Sequence, residues 1–302
     1  MDEEGERFLQ GLVAHRLILP SDVPGVFGRG AVFEDVLERF NALAGASAAP
    51  QVPELTCFPP VIDRKLLERV DYLGSFPNLC GCVHSFFGDE RSARRLADRV
   101  HAGEPYEDLL GPTSVVLNPS ACYPVYPTLT GTLPAGGRLI TATNWVYRHE
   151  PSREPTRMQS YRVREFVRAG RPDEVLAWRD DWLARGVALL RDLGLPVHED
   201  VASDPFFGRA GRFLAASQQE QKLKYELLVP VISATRPTAV GSFNVHHDKF
   251  GSMFDIRSDD GAVAHTACIG YGLERVTMAL FRTHGLEPRD WPADVRARLW
   301  PR

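Results

Sequence analysis

Two stretches of this sequence place an anion-binding group, an aromatic plate and a carboxylate within reach of one surface. In the first, RLITATNWVYRHE and MQSYRVREFVRA flank the polar turn EPSREPT, and both runs have the β-rich composition of an antiparallel hairpin with a long loop. Arg148 and Glu150 fall at the end of the first strand and Arg157 in the loop. Tyr161, Val163 and Glu165 alternate along the second strand, so Tyr161 and Glu165 share a face. An arginine fork for phosphate, a carboxylate that accepts from an exocyclic amine and a ring for a base converge there; a solvated charged hairpin is the alternative reading. In the second stretch, GYGLER at 270–275 joins a strand to a helix, with glycines that permit close backbone approach and Arg275 in the first helical turn, where anions are favoured. A tight turn with a surface arginine is the alternative.

No G-x-x-x-x-G-K-[ST] loop and no G-x-G-x-x-G after a strand is present, so a nucleotide must be held some other way. The cysteines at 57, 80, 82, 122 and 268 are odd in number and follow no secretory signal, which leaves buried thiols or metal ligands rather than disulfides. CGCVH places Cys80, Cys82 and His84 at strand alternation as a rival metal site without a nearby fourth ligand. His246, His247 and Asp248 read as solvent-facing, and His149 takes no role.

The elements that must position these groups follow from periodicity. Apolar spacing predicts an amphipathic helix over 31–44 ending at Gly45, a short strand in VPELTCFPP stopped by Pro59 and Pro60, and a helix over 173–193. VGSFNVHHD and AVAHTACIGYG read as strands, the latter running into the helix LERVTMALFRTHG. Strands adjoining strands, with helices segregated, predict an antiparallel sheet in an α+β fold. The chain has 302 residues, 44% hydrophobic and 25% charged, and a net charge of −4, which gives no global attraction for nucleic acid. No apolar run approaches a membrane span, and the acidic start MDEEGERFLQ lacks the form of a signal peptide, so a reducing, cytoplasmic setting is expected.

YRHEPSREPTRMQSYRVREF resembles motif 2 of class II aminoacyl-tRNA synthetases, IGYGLERVTMAL resembles motif 3, and the helix over 31–44 with the strand ending at Pro59 and Pro60 is similar to motif 1, the dimer interface of that class. Within the class, LNPSACYPVYP, SDPFFGRAGRFLAASQQEQKLKYELLVP, GSFNVHHDKFG and AHTACIGYGLERVTMALFRTHG resemble the seryl-tRNA synthetase-like amino acid:[carrier protein] ligases, as does the lack of a long N-terminal coiled coil. The resemblance implies a class II catalytic fold, a mostly antiparallel sheet flanked by helices, as one domain over residues 1–302. It implies activation of a small amino acid, glycine or alanine, with ATP as an aminoacyl-adenylate, then transfer to the phosphopantetheine thiol of a carrier protein, by a homodimer that takes no tRNA. A seryl-type tRNA ligase and a non-catalytic binding module are the alternatives.

Carried onto this chain, the resemblance gives Arg148 the α-phosphate, Glu150 the adenine amine, Tyr161 the adenine ring and Arg275 the γ-phosphate, with Arg157 also on ATP. Glu226, Ser242 and Asn244 serve ATP and Mg²⁺, and Cys122, Glu165 and Cys268 hold a Zn²⁺ ion that binds the substrate amino group. Tyr147, Tyr161 and Tyr271 stand where the class commonly has Phe, which keeps the stacking surface. Carrier proteins are generally acidic, so Arg91, Arg94, Arg95 and Arg99, or Arg209 and Arg212, are candidate docking residues, with a solvated charged face as the alternative.

Overall fold

The computed structural model describes residues 3–205 and 208–301, without the side chains of 208–211, 213 and 214 in the helix Gly208–Glu220. A seven-stranded sheet forms from β1 (Glu54–Thr56), β2 (Arg138–Tyr147), β3 (Ser160–Gly170), β4 (His198–Val201), β5 (Lys224–Val229), β6 (Thr238–His247) and β7 (His265–Gly272). Their spatial order is β4-β5-β6-β7-β3-β2-β1, with every neighbouring pair antiparallel except β1 and β2. The hairpin read around EPSREPT is β2 and β3, paired from Arg138 opposite Ala169 to Tyr147 opposite Ser160.

Alternation gives the sheet two faces. On one, Phe166, Phe243 and Tyr271 pack against α1 (Ala31–Ser47), α2 (Pro172–Asp192) and α3 (Leu273–His284) through Phe33, Phe40, Trp182 and Val276. α1 runs on through Gly45, marked in the sequence as its stop, to Ser47, whose Oγ donates to the Ala44 carbonyl at 2.7 Å. α2 approaches the sheet at Gly186, where a Cβ would lie 2.6 Å from the Phe243 ring and 2.9 Å from the Tyr271 hydroxyl. On the opposite face, Cys122, Tyr126, Val167, Phe250 and Cys268 belong to a second apolar cluster. Beside it, Val61–Asp63, Cys82–Phe86 and Leu110–Leu117 form a three-stranded sheet that carries the helix Glu90–Ala102, none of whose residues is buried. No helix among the described residues is long and apolar enough to cross a membrane.

One buried carboxylate joins the segments likened to motifs 1, 2 and 3. Glu274, at the start of α3 and 0% exposed, accepts from the Arg162 backbone N–H at 2.8 Å and from its Nε at 3.0 Å, and faces Arg29 at 3.3 Å. The other edge of the Arg162 guanidinium donates to both oxygens of Glu34 on α1 at 2.8 Å each. Trp145 of β2 packs against both guanidiniums, at 5.2 Å from Arg29 and 5.0 Å from Arg162. Removing one partner of a buried pair strands the others without water. Glu274→Ala is therefore expected to lower the unfolding free energy in urea titrations by about 3–5 kcal/mol. Glu34→Ala, at a side chain 37% exposed, is expected to cost under about 1 kcal/mol.

Candidate active site

The sheet face opposite α1–α3 carries a cavity of about 430 Å³, and its deepest chemistry is a trio of donors. Glu165 on β3 stands opposite Gly270 of β7, and Cys268 is two residues away on the same face. Cys122 lies on a loop strapped to β2, where Asn144 Nδ2 donates to the Ala121 carbonyl at 3.1 Å and the Tyr147 N–H to the Asn118 carbonyl at 2.7 Å. One ligand atom from each of Cys122, Glu165 and Cys268 lies within 4.8 Å of the others, and all three residues are buried. Burial pushes the Glu165 carboxyl up, opposed by the Cys268 and Cys122 thiols and by Arg148. The Cys268 thiol is pushed well above its ordinary value by its hydrogen bond with Cys122, then by burial and by Glu165. Two thiols and a carboxylate at this separation match the donor chemistry of zinc, and an ion held by three protein ligands would keep a position for a further ligand.

Arg148 and Tyr161 line the same cavity. The Arg148 guanidinium is held above its ordinary value chiefly by the Tyr161 phenol, against the effect of burial, and its Nε donates to the Pro119 carbonyl at 3.2 Å. Arg275 also lines the cavity and lies over the Tyr161 ring at 5.5 Å, with Nε and Nη1 donating to the carbonyls of Thr156 and Ala239 at 2.9 and 3.1 Å. The ring plate and the arginine read separately from the two motifs thus stack on each other. Ser242 and Asn244, two apart on β6, both line the cavity and are hydrogen-bonded to each other at 3.0 Å, and Glu226 of β5 is the cross-strand partner of Ser242. Tyr72, which lines the cavity too, has a buried hydroxyl without a hydrogen-bond partner among the described residues.

Several site features were not legible in the sequence. Lys224 is 8% exposed and bonds to Asp204 at 2.6 Å and Glu226 at 3.1 Å. Asp204 also exchanges two hydrogen bonds with Gln218 of the helix Gly208–Glu220, at 2.7 and 2.9 Å. Burial works against both charges, yet Lys224 and Gln218 hold the Asp204 carboxyl below the usual carboxylate range, and Asp204 and Glu226 hold the Lys224 ammonium up. His246, expected to face solvent with its neighbours, instead lines the cavity with Nε2 3.6 Å from Cys268 Sγ, and burial pushes it down to about 3. His247 is exposed as expected. The alternation of Ser242, Asn244 and His246 along β6 is the signal that could have placed His246 here.

Other candidates stay apart from the cavity. Glu150, half-buried, and Arg157, exposed, are not among its lining residues. Cys80 and Cys82 have sulfurs 3.9 Å apart, but the strand register shifts between Cys82 and His84, and the trio with His84 is not among the metal-compatible groups of the described residues. Arg91, Arg94 and Arg95 are exposed, with Arg94 against Glu90 at 3.7 Å, while Arg99 is paired with Asp108 at 2.6 Å. The Arg209 side chain lies outside the described residues, and Arg212 is exposed. The Asp204 contacts tie the helix Gly208–Glu220 to the cavity, so Asp204→Asn is expected to raise hydrogen exchange across that helix at pH 7. In the unchanged chain the same rise is expected only in acid. A carboxylate with a lowered folded pKa stabilises above its unfolded value of about 3.9 and loses that contribution as pH falls through the folded value.

A scan against protein-family models finds no match. Two amino acid–[acyl-carrier-protein] ligases of Bradyrhizobium diazoefficiens are 46% and 44% identical over 278 and 286 residues, 91% and 94% of this chain and 83% and 87% of theirs. The type-2 serine–tRNA ligase of Methanopyrus kandleri is 28% identical over 268 residues, 82% of this chain but 51% of its own length. Among solved structures, the seryl-tRNA synthetase of M. kandleri bound to A. aeolicus tRNASec matches with a TM-score of 0.80 at 22% identity, over 99% of this chain and 60% of that one. The prolyl-tRNA synthetase of Cryptosporidium parvum matches at 0.69 and 16% identity, over 94% of this chain and 54% of its own. These likenesses show the class II aminoacyl-tRNA synthetase fold. Identity of this level along more than nine tenths of this chain and more than four fifths of both ligases, joined to that fold, makes the chain a member of the amino acid–[acyl-carrier-protein] ligase family.

Proposed function

We propose that the chain activates a small amino acid with ATP as an aminoacyl-adenylate and transfers it to the phosphopantetheine thiol of a carrier protein. The observation that carries this reading is the opening of the buried Cys122, Glu165 and Cys268 trio into the cavity that Arg148, Tyr161 and Arg275 also line. Cys122, Glu165 and Cys268 would hold a zinc ion, which would supply a Lewis-acidic seat for the substrate's α-amine. Tyr126 and Phe250 belong to the apolar cluster that also holds Cys122 and Cys268, and glycine or alanine is the amino acid that the family resemblance leads us to expect.

Arg148 offers its fork to the substrate carboxylate and the α-phosphate, and so offsets charge as the carboxylate oxygen attacks phosphorus and pyrophosphate leaves. Tyr161 supplies a face for the purine, and Arg275 sits where it can close over the base or meet the departing phosphates. Glu226, Ser242 and Asn244 present the oxygens that a Mg²⁺ ion on the triphosphate takes. In the second half-reaction the carrier thiolate attacks the carbonyl carbon and the bond to AMP breaks, leaving a thioester. Cys122 and Cys268 act as ligands, and no covalent enzyme nucleophile is needed.

The exposed basic helix Glu90–Ala102 is suited to an acidic carrier. Leu55, 74% exposed on the edge strand β1, and Val32, 48% exposed on α1, support a homodimer through the motif 1 segment. ATP–pyrophosphate exchange is expected to depend on one small amino acid, with no charging of total tRNA. Arg148→Ala is expected to lower exchange by about 10²–10³-fold, the loss typical of a removed charge-stabilising donor. Purified protein is expected to hold zinc, which Cys268→Ser loses together with exchange and Cys82→Ser keeps. Exchange with no amino acid, or full zinc retention by Cys268→Ser, contradicts the reading.

A further inference from the structure

The β6–β7 ladder slips at one place. Asn244 faces Cys268 and Val245 faces Ala267, but His247 then faces Thr266, so the strand bulges at His246. Bulges re-aim side chains beside functional sites, and this one sets the His246 imidazole between hydroxyls and a thiol. Its Nδ1 lies 3.1 Å from Thr266 Oγ1 and 3.4 Å from the Tyr126 hydroxyl, while its Nε2 lies 3.6 Å from Cys268 Sγ. Edge-to-face packing on Tyr126, with ring planes at 86°, and on Phe250, at 72°, fixes the ring plane.

A neutral imidazole has one N–H and one acceptor nitrogen, and its tautomer follows from its partners. Hydroxyls donate as readily as they accept, whereas a metal-bound Cys268 sulfur has given up its proton and can only accept. The arrangement that satisfies these groups therefore puts the lone pair on Nδ1, filled by the nearer Thr266 hydroxyl, and the proton on Nε2, leaving the Tyr126 hydroxyl to the Cys122 sulfur. We propose that His246 is a positioning residue that donates its Nε2–H to the Cys268 thiolate, with the tautomer held by the Thr266 hydroxyl.

The proposal rests on the zinc reading above. Asn244 Nδ2 donates to the same sulfur at 3.4 Å, so Cys268 takes two N–H donors. Cys122 has the Ser120 hydroxyl at 3.3 Å. The two thiolates thus differ in the kind of partner: Cys268 faces ring and amide N–H groups, whereas Cys122 faces the Ser120 and Tyr126 hydroxyls. Groups that orient ligands in this way typically govern metal affinity by 10- to 100-fold.

The test uses the full chain, stripped of metal and reloaded with Co²⁺, whose thiolate charge-transfer band reports the electron density on sulfur, together with Zn²⁺ affinity from chelator competition. His246→Phe is expected to move the band to lower energy and weaken zinc binding by about 10- to 100-fold. His246→Gln, whose amide N–H reaches the same place, is expected to restore most of both. Thr266→Val, which spares the ring but frees its tautomer, is expected to fall between. A band and affinity untouched by His246→Phe overturn the proposal, as does a Gln variant no better than Phe, which makes His246 a packing residue. Should His246→Phe fail to fold, Thr266→Val decides, and an unmoved band there overturns the proposal. Absence of any thiolate band in the unsubstituted chain removes the zinc reading and this inference together, whereas a normal band insensitive to His246 removes this inference alone.

Discussion

Holding a carboxylate and two thiols out of water, each within reach of the others, is the constraint to which the rest of the molecule answers. Burial drives Glu165, and the hydrogen bond with Cys122 together with burial drives Cys268, toward the neutral form, and a bound dication would reverse that preference by making the deprotonated ligands the stable ones. The arrangement survives only if the backbone is rigid enough to keep the donors together. That rigidity comes from adjacent antiparallel strands, β3 and β7, in fixed register, and from a loop hydrogen-bonded to β2 by Asn144 and the Asn118 carbonyl. Glycine at 270 matters in the same way, because a Cβ there would meet Val163 Cγ1 at 3.2 Å on the face that Glu165 uses.

The anchor on the helical side performs a related task one residue from the chemistry. Glu274, enclosed by Arg162 and Arg29, fixes the first turn of α3, and its neighbour Arg275 is thereby held over Tyr161. Glu34 extends the network to α1. A disturbance at α1 therefore has a short path, through the Glu34–Arg162–Glu274 contacts and one peptide unit, to the arginine over the Tyr161 plate. Ion pairs this enclosed are weak sources of net stability compared with apolar packing, and a registry role accounts better for their retention.

How far the sequence revealed this site depended on whether its parts were local. Two-residue alternation is enough to place Tyr161 and Glu165 on one face and to pair β2 with β3, and helical spacing locates α1 and α3, although only Gly285 of the two expected glycine stops ends its helix. Cys122, Glu165 and Cys268 carry no local spacing, since three separate elements supply them, and only the family resemblance singled them out. His246 is hard to place for the opposite reason. Its polar neighbours suggest solvent, whereas the strand period and the bulge turn it inward while leaving His247 outside. Lys224 and Asp204 carry no local signal, because a buried lysine is recognisable only once its carboxylates are seen beside it. Arg148 lies beyond the last strand residue, Tyr147, so its position in the cavity depends on the 119 carbonyl and the surrounding loop rather than on strand periodicity.

The fold is shared with ligases that act on tRNA, and the chain spans about half the length of the serine–tRNA ligase it matches. Function on a shared fold is read from the site rather than from the sheet that carries it, so the donor trio and the cavity are where the account is tested. X-ray absorption at the zinc edge, on protein purified without added metal and then titrated with its amino acid, tests this most directly. The account predicts two sulfur neighbours at about 2.3 Å and an oxygen or nitrogen shell at about 2.0–2.2 Å, with only the lighter shell changing as the amino acid is added. A shell of four sulfurs, a shell of oxygen and nitrogen alone, or a spectrum indifferent to the amino acid would contradict it.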